Sequence, residues 1–224
     1  MFTQSSLFNV KKKIDFVFPE VPQELRAKIN MTLVDSKPYI HIMGPINYQE
    51  KQALAFFLRS NPVFVGLQSK ELGVYGAMAI AMALKDERTQ LAEIKVIGNY
   101  MNSTNTIGEE GGMAIGKALS ENCTLTTLNL DINKIGDQGL KAIAQALNSN
   151  CSLLSLSLDC NHISNQGAWA IKSALRENNT LSKIYFGFTH DIDANLLLEI
   201  QSAVLSNRSE LLADRNKISP GNTR

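Results

Sequence analysis

Residues 125–150 read LTTLNLDINKIGDQGLKAIAQALNSN, and residues 153–178, which begin 28 positions later, read LLSLSLDCNHISNQGAWAIKSALREN. Ten positions of the first stretch match the second in residue type and spacing: Leu125, Leu128, Leu130, Asn133, Ile135, Gly139, Ile143, Ala146, Leu147 and Asn150. A fixed period of this length is typical of a solenoid, in which similar units stack on one another. The match therefore predicts a repeated architecture.

Each unit of this repeat combines a strand pattern with a helix pattern. Residues 125–130 alternate between apolar and polar types, which places Leu128 and Leu130 on one face of a strand. Residues 138–147 instead carry apolar side chains at helical spacing. Neither element can bury its apolar face alone, so we expect stacked units to share one core.

Asparagines and glycines mark the turns of the repeat. Asn133 and Asn161 follow the strands, where a side-chain amide can both donate to and accept from backbone groups. Stacked asparagines would form a ladder along the solenoid. We expect Gly139 and Gly167 to open the helices, where a side chain would crowd the neighbouring unit or strain the backbone.

The repeat continues upstream, where an insertion interrupts it. The strand half of that unit ends at Asn99 and its helix half starts at Ile107, with about six extra residues between them. These residues, 100–105, are polar and turn-forming, and they predict a loop. An alternative alignment uses Asn105 as the turn asparagine. We prefer Asn99, because residues 91–96 then form the better strand.

Both ends of the chain depart from the pattern. Lys70 and Thr189 stand where the regular units have asparagine. We divide the chain into an N-terminal capping region with an atypical first repeat (residues 1–61), about five repeats (62–208), and a partial C-terminal repeat with a tail (209–224). Terminal repeats must cover the open ends of the core, so atypical sequences are expected there.

Four elements are predicted within the capping region. Apolar alternation indicates short strands near residues 14–18 and 39–43, and the segments 22–33 and 46–61 have helical patterns. At the other end, the partial repeat starts near Leu211 and stops before a helix can follow.

The pattern Leu-x-x-Leu-x-Leu-x-x-Asn-x-Ile, followed by Gly and Ile-x-x-Ala-Leu-x-x-Asn, resembles a leucine-rich repeat of the long, ribonuclease-inhibitor-like subtype. The resemblance covers about residues 62–218. It implies an α/β solenoid shaped like a horseshoe, with parallel strands on the concave face and helices on the convex face. It also implies protein binding as the usual activity, without identifying the partner.

The composition of the chain excludes few classes of function. The chain has 224 residues and a formal net charge of +1, which gives no general reason to expect nucleic-acid or anionic-membrane binding. No run of 18 apolar residues predicts a membrane span, and the N-terminus lacks the pattern of a secretory signal peptide. We expect a monomer that is cytoplasmic, or that is secreted into a host cell without a cleavable signal peptide.

No catalytic, cofactor or metal site is predicted. The three histidines, His41, His162 and His190, have no second histidine or cysteine at zinc-like spacing. His162 lies in a turn and is expected to be exposed. The pairs Cys160–His162 and His190–Asp191 are the alternatives that a catalytic reading would use. We predict a non-enzymatic protein.

The cysteines are too few, and odd in number, for a disulfide framework. Cys123 and Cys151 occupy the same position in successive units, and we expect two small buried thiols in a reducing compartment. Cys160 follows a strand, and we expect it to contribute to packing.

The concave face is the best candidate for a binding surface. The strand pattern assigns to it Glu93, Lys95, Thr127, Asn129, Asp131, Ser155, Ser157, Asp159, Lys183 and Tyr185. Like charges on adjacent strands are unfavourable, so stacking of Asp131 on Asp159 favours a basic partner group between them. Phe64, on the same face, either anchors a partner or packs under the N-terminal cap. The loop 100–105 is the next candidate.

Three classes of function follow from these features. The favoured one is a module that binds a partner protein, similar to the compact leucine-rich repeat effectors that intracellular bacterial pathogens deliver into host cells. The alternative is a cytoskeletal or small-GTPase regulator, because similar repeats occur in tropomodulin-like actin-capping domains and in activators of a Ran-type GTPase. An actin pull-down and a GTP hydrolysis assay would separate these. An enzyme is the least supported class.

Overall fold

The computed structural model describes residues 21–34, 37–61, 65–100, 105–187 and 191–218, with side chains described as far as Ser209. Seven helices and seven strands lie in these ranges: α1 Gln23–Lys28, β1 Ile29–Val34, β2 Lys37–Met43, α2 Tyr48–Ser60, β3 Gly66–Lys70, α3 Gly73–Leu84, β4 Glu93–Ile97, α4 Gly108–Leu119, β5 Thr127–Asn129, α5 Gly136–Leu147, β6 Ser155–Ser157, α6 Asn165–Ala174, β7 Lys183–Tyr185 and α7 Ala194–Ile218.

All these strands belong to one sheet, in which they are ordered as in the sequence. β1 pairs antiparallel with β2, and each later pair of neighbours is parallel. Helices α2 to α7 pack against one another in the same order. This arrangement confirms the predicted α/β solenoid, because each strand from β2 to β6 is followed by a helix that returns the chain to the next parallel strand.

The leucine pattern forms the core of the solenoid. Leu128, Leu156 and Ile184 occupy matching positions on successive strands, and each is at most 1% exposed. They join fully buried helix residues such as Ile143 and Ile171 in one continuous cluster. A side chain of this size contributes about 1.5–3 kcal/mol when it is fully buried. Repetition of the same apolar positions therefore stabilises each unit through its neighbours.

The predicted asparagine ladder is confirmed in the central units. Oδ1 of Asn161 accepts hydrogen bonds from the backbone N–H groups of Asn133 (3.0 Å) and Ile135 (3.2 Å), and its Nδ2 donates to the carbonyl of Leu130 (2.8 Å). Asn133 repeats the arrangement toward the preceding unit, where its Nδ2 donates to the carbonyl of Val96 (2.6 Å). Both side chains are buried, so they satisfy backbone groups that water does not reach.

The ladder ends at the inserted loop. The pairing of β4 with β5 makes Asn99 the equivalent of Asn133, as the preferred alignment predicts. Relative to the following helix, Asn105 is also equivalent to Asn133, because each lies three residues before the first residue of its helix, α4 or α5. Both amides bond to a carboxylate of the preceding unit, since Nδ2 of Asn99 and Nδ2 of Asn105 donate to Glu71 at 2.5 and 3.5 Å.

A second asparagine ladder links the ends of the helices. Nδ2 of Asn150 donates to the carbonyl of Asn122 (2.8 Å), and Nδ2 of Asn178 donates to the carbonyl of Asn150 (2.9 Å). Oδ1 of Asn150 accepts from the N–H of Leu153 (2.9 Å), which fixes the path into the next strand. The repeat pattern contains these asparagines, but their pairing becomes visible only when the units are stacked.

Three helices start at glycines with a positive φ angle, namely Gly73 (+74°), Gly108 (+63°) and Gly136 (+62°). Residues with a side chain adopt this conformation at a cost. Gly139, which we expected to open α5, instead lies in its first turn, and a Cβ there would stand 3.3 Å from Cα of Gly112 in α4. The crowding part of that expectation is therefore confirmed, and the position of the helix start is corrected.

The start of α6 is held by a side chain from the preceding helix. Oδ1 of Asp137 accepts from the N–H groups of Ser164 (2.9 Å) and Gly167 (3.0 Å), and its Oδ2 accepts from Oγ of Ser164 (2.6 Å). Burial raises the pKa of Asp137, but the hydrogen bonds from Ser164 and Gly167 outweigh it and leave the pKa below its ordinary value. The carboxylate thus joins α5 to α6.

Two predictions near the chain ends are wrong. The helix predicted at 22–33 ends at Lys28, because the alternating residues of β1 pair with β2 along the edge of the sheet. The partial repeat predicted after residue 209 is absent, because α7 continues to Ile218 through a stretch without glycine or proline. The strand predicted at 39–43 and the helix predicted at 46–61 correspond to β2 and α2.

Several expectations fall outside the described residues. They concern the strand near residues 14–18, the aromatic side chain of Phe64, most of the inserted loop, Thr189 and His190.

Candidate functional site

One face of the sheet points away from the helices, and no described part of the chain covers it. We call it the open face. Its first row consists of Tyr39, Gly66, Glu93, Thr127, Ser155 and Lys183, and its second row of His41, Gln68, Lys95, Asn129, Ser157 and Tyr185. A third row, at the carboxyl ends of the strands, contains Met43, Lys70, Ile97, Asp131 and Asp159.

All ten residues that the sequence assigned to the concave face lie in these rows. The alternation behind the assignment is visible on β5, where Leu128 is 1% exposed while Thr127 and Asn129 are partly exposed. That these residues bind a partner stays a prediction.

The centre of the open face is a closed hydrogen-bond network around Asp131. Its Oδ1 accepts from Oγ of Ser157 and from the N–H of Asp159, both at 2.8 Å. Its Oδ2 accepts from Nδ2 of Asn129, also at 2.8 Å. The carboxylate is therefore satisfied by Asn129 of its own unit and by Ser157 and Asp159 of the next unit, which removes the premise that a basic partner group is needed between Asp131 and Asp159.

The C-terminal end of the open face carries an exposed aromatic ring. Tyr185 is 54% exposed and stands in the second row, next to Ser157. After it the chain passes Gly187, which has φ +65° and where a Cβ would stand 1.5 Å from Oδ1 of Asp159. Only glycine fits at this point without displacing that aspartate.

At the N-terminal end, the first row is closed by a small polar cluster. The hydroxyl of Tyr39 donates to the carboxylate of Glu93, which also forms an ion pair with Lys95. To reach Glu93 the ring of Tyr39 crosses Gly66, where a Cβ would stand 2.1 Å from Cε1 of the ring. Burial raises the pKa of Glu93, but the hydrogen bonds from Lys95 and Tyr39 outweigh it and lower the pKa.

Beside this cluster lies a cavity of about 350 Å³, which we call the N-terminal cavity. It is lined by His41, Ile42, Met43, Gly44, Gln68, Ser69, Lys70, Lys95 and Ile97. His41 shares a hydrogen bond of 2.6 Å with Oγ1 of Thr32 on β1, and burial lowers its pKa. The size is within the range of ligand-binding pockets, about 300–1,000 Å³.

Comparison with known families supports the repeat directly. A family profile described as Leucine Rich repeat matches residues 121–144 and 149–172, which are the two regular central units.

The chain is a leucine-rich repeat protein.

The fold has relatives among solved structures. A structure titled Leiomodin-1 Actin-Binding Site 2 (ABS2) matches with a TM-score of 0.58 and 20% sequence identity, over 78% of this chain and 99% of that one. At this identity the likeness shows the fold alone. A search of curated protein sequences gave no significant match.

A second, smaller cavity of about 180 Å³ lies at the turns of this leucine-rich repeat protein, and Asn99, Tyr100, Thr106, Ile132, Lys134, Cys160 and His162 line it. The hydroxyl of Tyr100 donates to Sγ of Cys160 at 2.7 Å, which raises the pKa of Tyr100 to about 12. That same bond lowers the pKa of Cys160, but burial and Asp159 outweigh it and raise the pKa overall. A thiol with a raised pKa is a poor nucleophile at neutral pH.

The other candidate reactive groups of the repeat are on the surface. His162 is exposed, as predicted. Cys123 and Cys151 are exposed free thiols, so the expectation that they are buried is wrong. Each follows a buried asparagine of the second ladder, whose side chain turns inward while the next residue turns outward. Among the described residues, no group of three or more His, Cys, Asp or Glu side chains could hold a metal ion.

The helix layer carries exposed aromatic residues that the sequence analysis missed. Trp169 on α6 is 52% exposed, with Nζ of Lys172 4.2 Å from the ring centre. Tyr48 and Tyr75 meet edge to face at 5.5 Å on α2 and α3. In the described ranges, no helix is both long and apolar enough to cross a membrane.

The N-terminal cavity was also missed. Its residues come from three strands that are distant in the sequence, and only the pairing of β2 with β3 and β4 brings His41 next to Gln68 and Lys95. The period-two alternation of residues 39–43 was the one available signal, because it places His41 and Met43 on the same face.

Proposed function

We propose that this leucine-rich repeat protein is a non-enzymatic interaction module that holds a partner protein across its open face. The observation that carries the proposal is the open face itself, which presents three rows of side chains over six parallel strands and which no described residue covers. With strands about 4.8 Å apart, the rows span about 24 Å.

The two ends of the open face have the character of contact sites. Tyr185 offers an exposed aromatic ring at one end, a residue type enriched among energetically dominant interface positions. The N-terminal cavity lies at the other end. Between them Thr127 and Ser155 are small, so a partner can approach the strands closely there.

A matched pair of arginine substitutions tests the location of the site. Ser155 is the fifth of the six residues in the first row, and among the described contacts its side chain makes no hydrogen bond, so Ser155→Arg adds bulk and charge without removing an internal bond. Ser173, exposed on α6, provides the control substitution Ser173→Arg. The wild-type chain and both variants would serve as bait in a eukaryotic cell lysate, with quantitative mass spectrometry of the bound proteins.

We expect one partner to be retained by wild type and by Ser173→Arg and to fall at least about tenfold with Ser155→Arg, because a buried arginine without a partner is costly in an interface. Equal capture by all three baits would place the site away from the open face. The narrower proposal, a bacterial effector that acts on a host protein, requires in addition that the partner is eukaryotic.

A second candidate is an actin-regulating activity. The observation that favours it is the likeness to the Leiomodin-1 actin-binding domain, which matches over 99% of that domain. Co-sedimentation with filamentous actin and elongation assays on actin seeds would test it. We expect an effect that Ser155→Arg removes, and unchanged sedimentation and elongation would exclude this candidate.

A further inference from the structure

The N-terminal cavity differs from the rest of the open face in charge. Two of its lining residues, Lys70 and Lys95, carry positive charge, and no carboxylate lines it. Lys70 is exposed and makes no ion pair with a described residue. The open face therefore has a cationic pocket at its N-terminal end.

The nearest carboxylates are held elsewhere. Glu93 bonds with Tyr39 and Lys95 in the first row, beside the cavity but outside its lining. Glu71, which follows Lys70, accepts from Nδ2 of Asn99 at the turn. Neither forms an ion pair with Lys70, so the positive charge at the rim of the cavity is available to a ligand.

Apolar walls accompany this charge. Met43 is 65% exposed, and Ile97 lies across β3 from it in the third row. Next to Met43 the chain passes Gly44, where an added Cβ would meet nothing within 4 Å, so the cavity is unobstructed on that side. Methionine is adaptable in shape and suits a pocket that receives an apolar side chain.

We propose that the N-terminal cavity binds an acidic–apolar peptide segment of the protein partner, with a large apolar side chain between Met43 and Ile97 and a neighbouring carboxylate at Lys70 and Lys95. The proposal rests on the proposed binding function of the open face. Charge complementarity selects the occupant, because a basic segment would be repelled by Lys70 and an uncharged one would leave Lys70 without an ion pair. His41 and Gln68 supply further hydrogen-bonding groups in the same pocket.

Selection from a peptide library provides the test. A phage-displayed library of random peptides would be selected on the wild-type chain, and the enriched sequences would be synthesised with a fluorescent label. We expect enrichment of Asp or Glu next to Leu, Ile, Phe or Met. Affinity would be measured by fluorescence polarisation for each acidic peptide and for its amide counterpart, in which Asp and Glu become Asn and Gln.

Three variants locate the bound peptide. Lys70→Glu reverses the charge at the rim, and Met43→Ser removes an apolar wall. Lys117→Glu makes the same charge change on α4, in the helix layer, and serves as the control. We expect affinity to fall at least about tenfold with Lys70→Glu and with the amide peptide, about threefold or more with Met43→Ser, and less than about twofold with Lys117→Glu. Circular dichroism of each variant would confirm folding.

Methionine-methyl NMR reports the location independently of these variants. The Met43 signal should shift when the acidic peptide is added to the wild-type chain. Enrichment of basic or uncharged peptides, an empty selection, full binding by Lys70→Glu, or an unmoved Met43 signal would each overturn the proposal. A stronger Met43 response to phosphatidylserine vesicles than to the peptide would also overturn it.

Failure of this proposal is distinguishable from failure of the proposed function. A lysate partner that is lost with Ser155→Arg but retained by Lys70→Glu would leave the open face as the binding site and exclude the cavity from it.

Discussion

The central repeats (β5 to α6) and the N-terminal units (β2 to α4) form one sheet and one helix layer, but their polar side chains are used in opposite ways. In the central repeats Asn133, Asn161 and Asp131 bond to the adjacent unit. In the N-terminal units Lys70 has no ion pair with a described residue, and polar groups line a cavity of about 350 Å³. Strict repetition lets neighbouring units satisfy one another, whereas irregular units leave groups available to a partner.

The largest expected effect concerns the first ladder. Asn133→Ala should lower the free energy of unfolding by about 3 kcal/mol, because the two N–H groups of Nδ2 of Asn133 are shared among three backbone carbonyls, those of Val96, Leu130 and Asp131, and buried acceptors would lose their donor. Asn99→Ala, at the equivalent position of the N-terminal units, should cost about 1 kcal/mol. Urea denaturation would measure both. Equal losses would break the distinction between the two regions.

The next effect concerns the third row of the open face. Asp131→Ala should destabilise the protein by about 2 kcal/mol, since Ser157, Asn129 and the N–H of Asp159 lose their common acceptor. Lys70→Ala in the same row should change stability by less than about 0.5 kcal/mol. Thermal unfolding of both variants would show this. If Asp131→Ala were as stable as the wild-type protein, water would replace the carboxylate. The centre of the open face would then be as available to a partner as the N-terminal cavity.

The smallest effect depends on pH. The pKa of Asp137 is lowered in the folded protein, so its stabilising contribution is fully present above the unfolded value of about 3.9 and is lost as the pH falls through the folded value. Asp137→Asn should therefore cost about 1 kcal/mol at pH 7 and progressively less below about pH 4. Denaturation at several pH values would measure the difference.

Glu109 provides the matched control in the N-terminal units. It holds the position in α4 that Asp137 holds in α5, but it faces Gly136, which has no side chain to donate. Glu109→Gln should change stability by less than about 0.5 kcal/mol at any of these pH values. A larger change would show that the link between α5 and α6 also exists between α4 and α5.

The regular part of the fold was predictable because one periodic pattern specifies both strand and helix. The ten matched positions located the core, the first ladder and the polarity of the open face. At the ends of the chain the pattern weakens, and local sequence patterns led to wrong predictions. Residues 29–33 form β1, not a helix, because they pair with the edge of β2. Helix α7 continues to Ile218 because no glycine or proline interrupts it.

The sequence did not predict in the same way which polar residues of the open face bond within the protein and which remain available to a partner. Asp131 and Lys70 both occupy the third row, although the sequence pattern assigned Lys70 to the asparagine position, which the pairing of β3 with β4 gives to Leu72. Their difference arises from the next unit along, which supplies Ser157 and a backbone N–H to Asp131. Likewise, the N-terminal cavity forms only when β2, β3 and β4 are aligned, and no local stretch of sequence predicts that alignment.

The second asparagine ladder has a consequence for how such a chain can change in length. Asn150 and Asn178 make the same bonds to the unit before them, and each offers the same carbonyl to the unit after it. A duplicated segment of 28 residues would therefore meet compatible partners at both of its junctions, as would a chain from which one such segment was deleted. Gene duplication could lengthen the binding surface strand by strand, while the N-terminal units, which lack this interchangeability, would keep their place and their specificity.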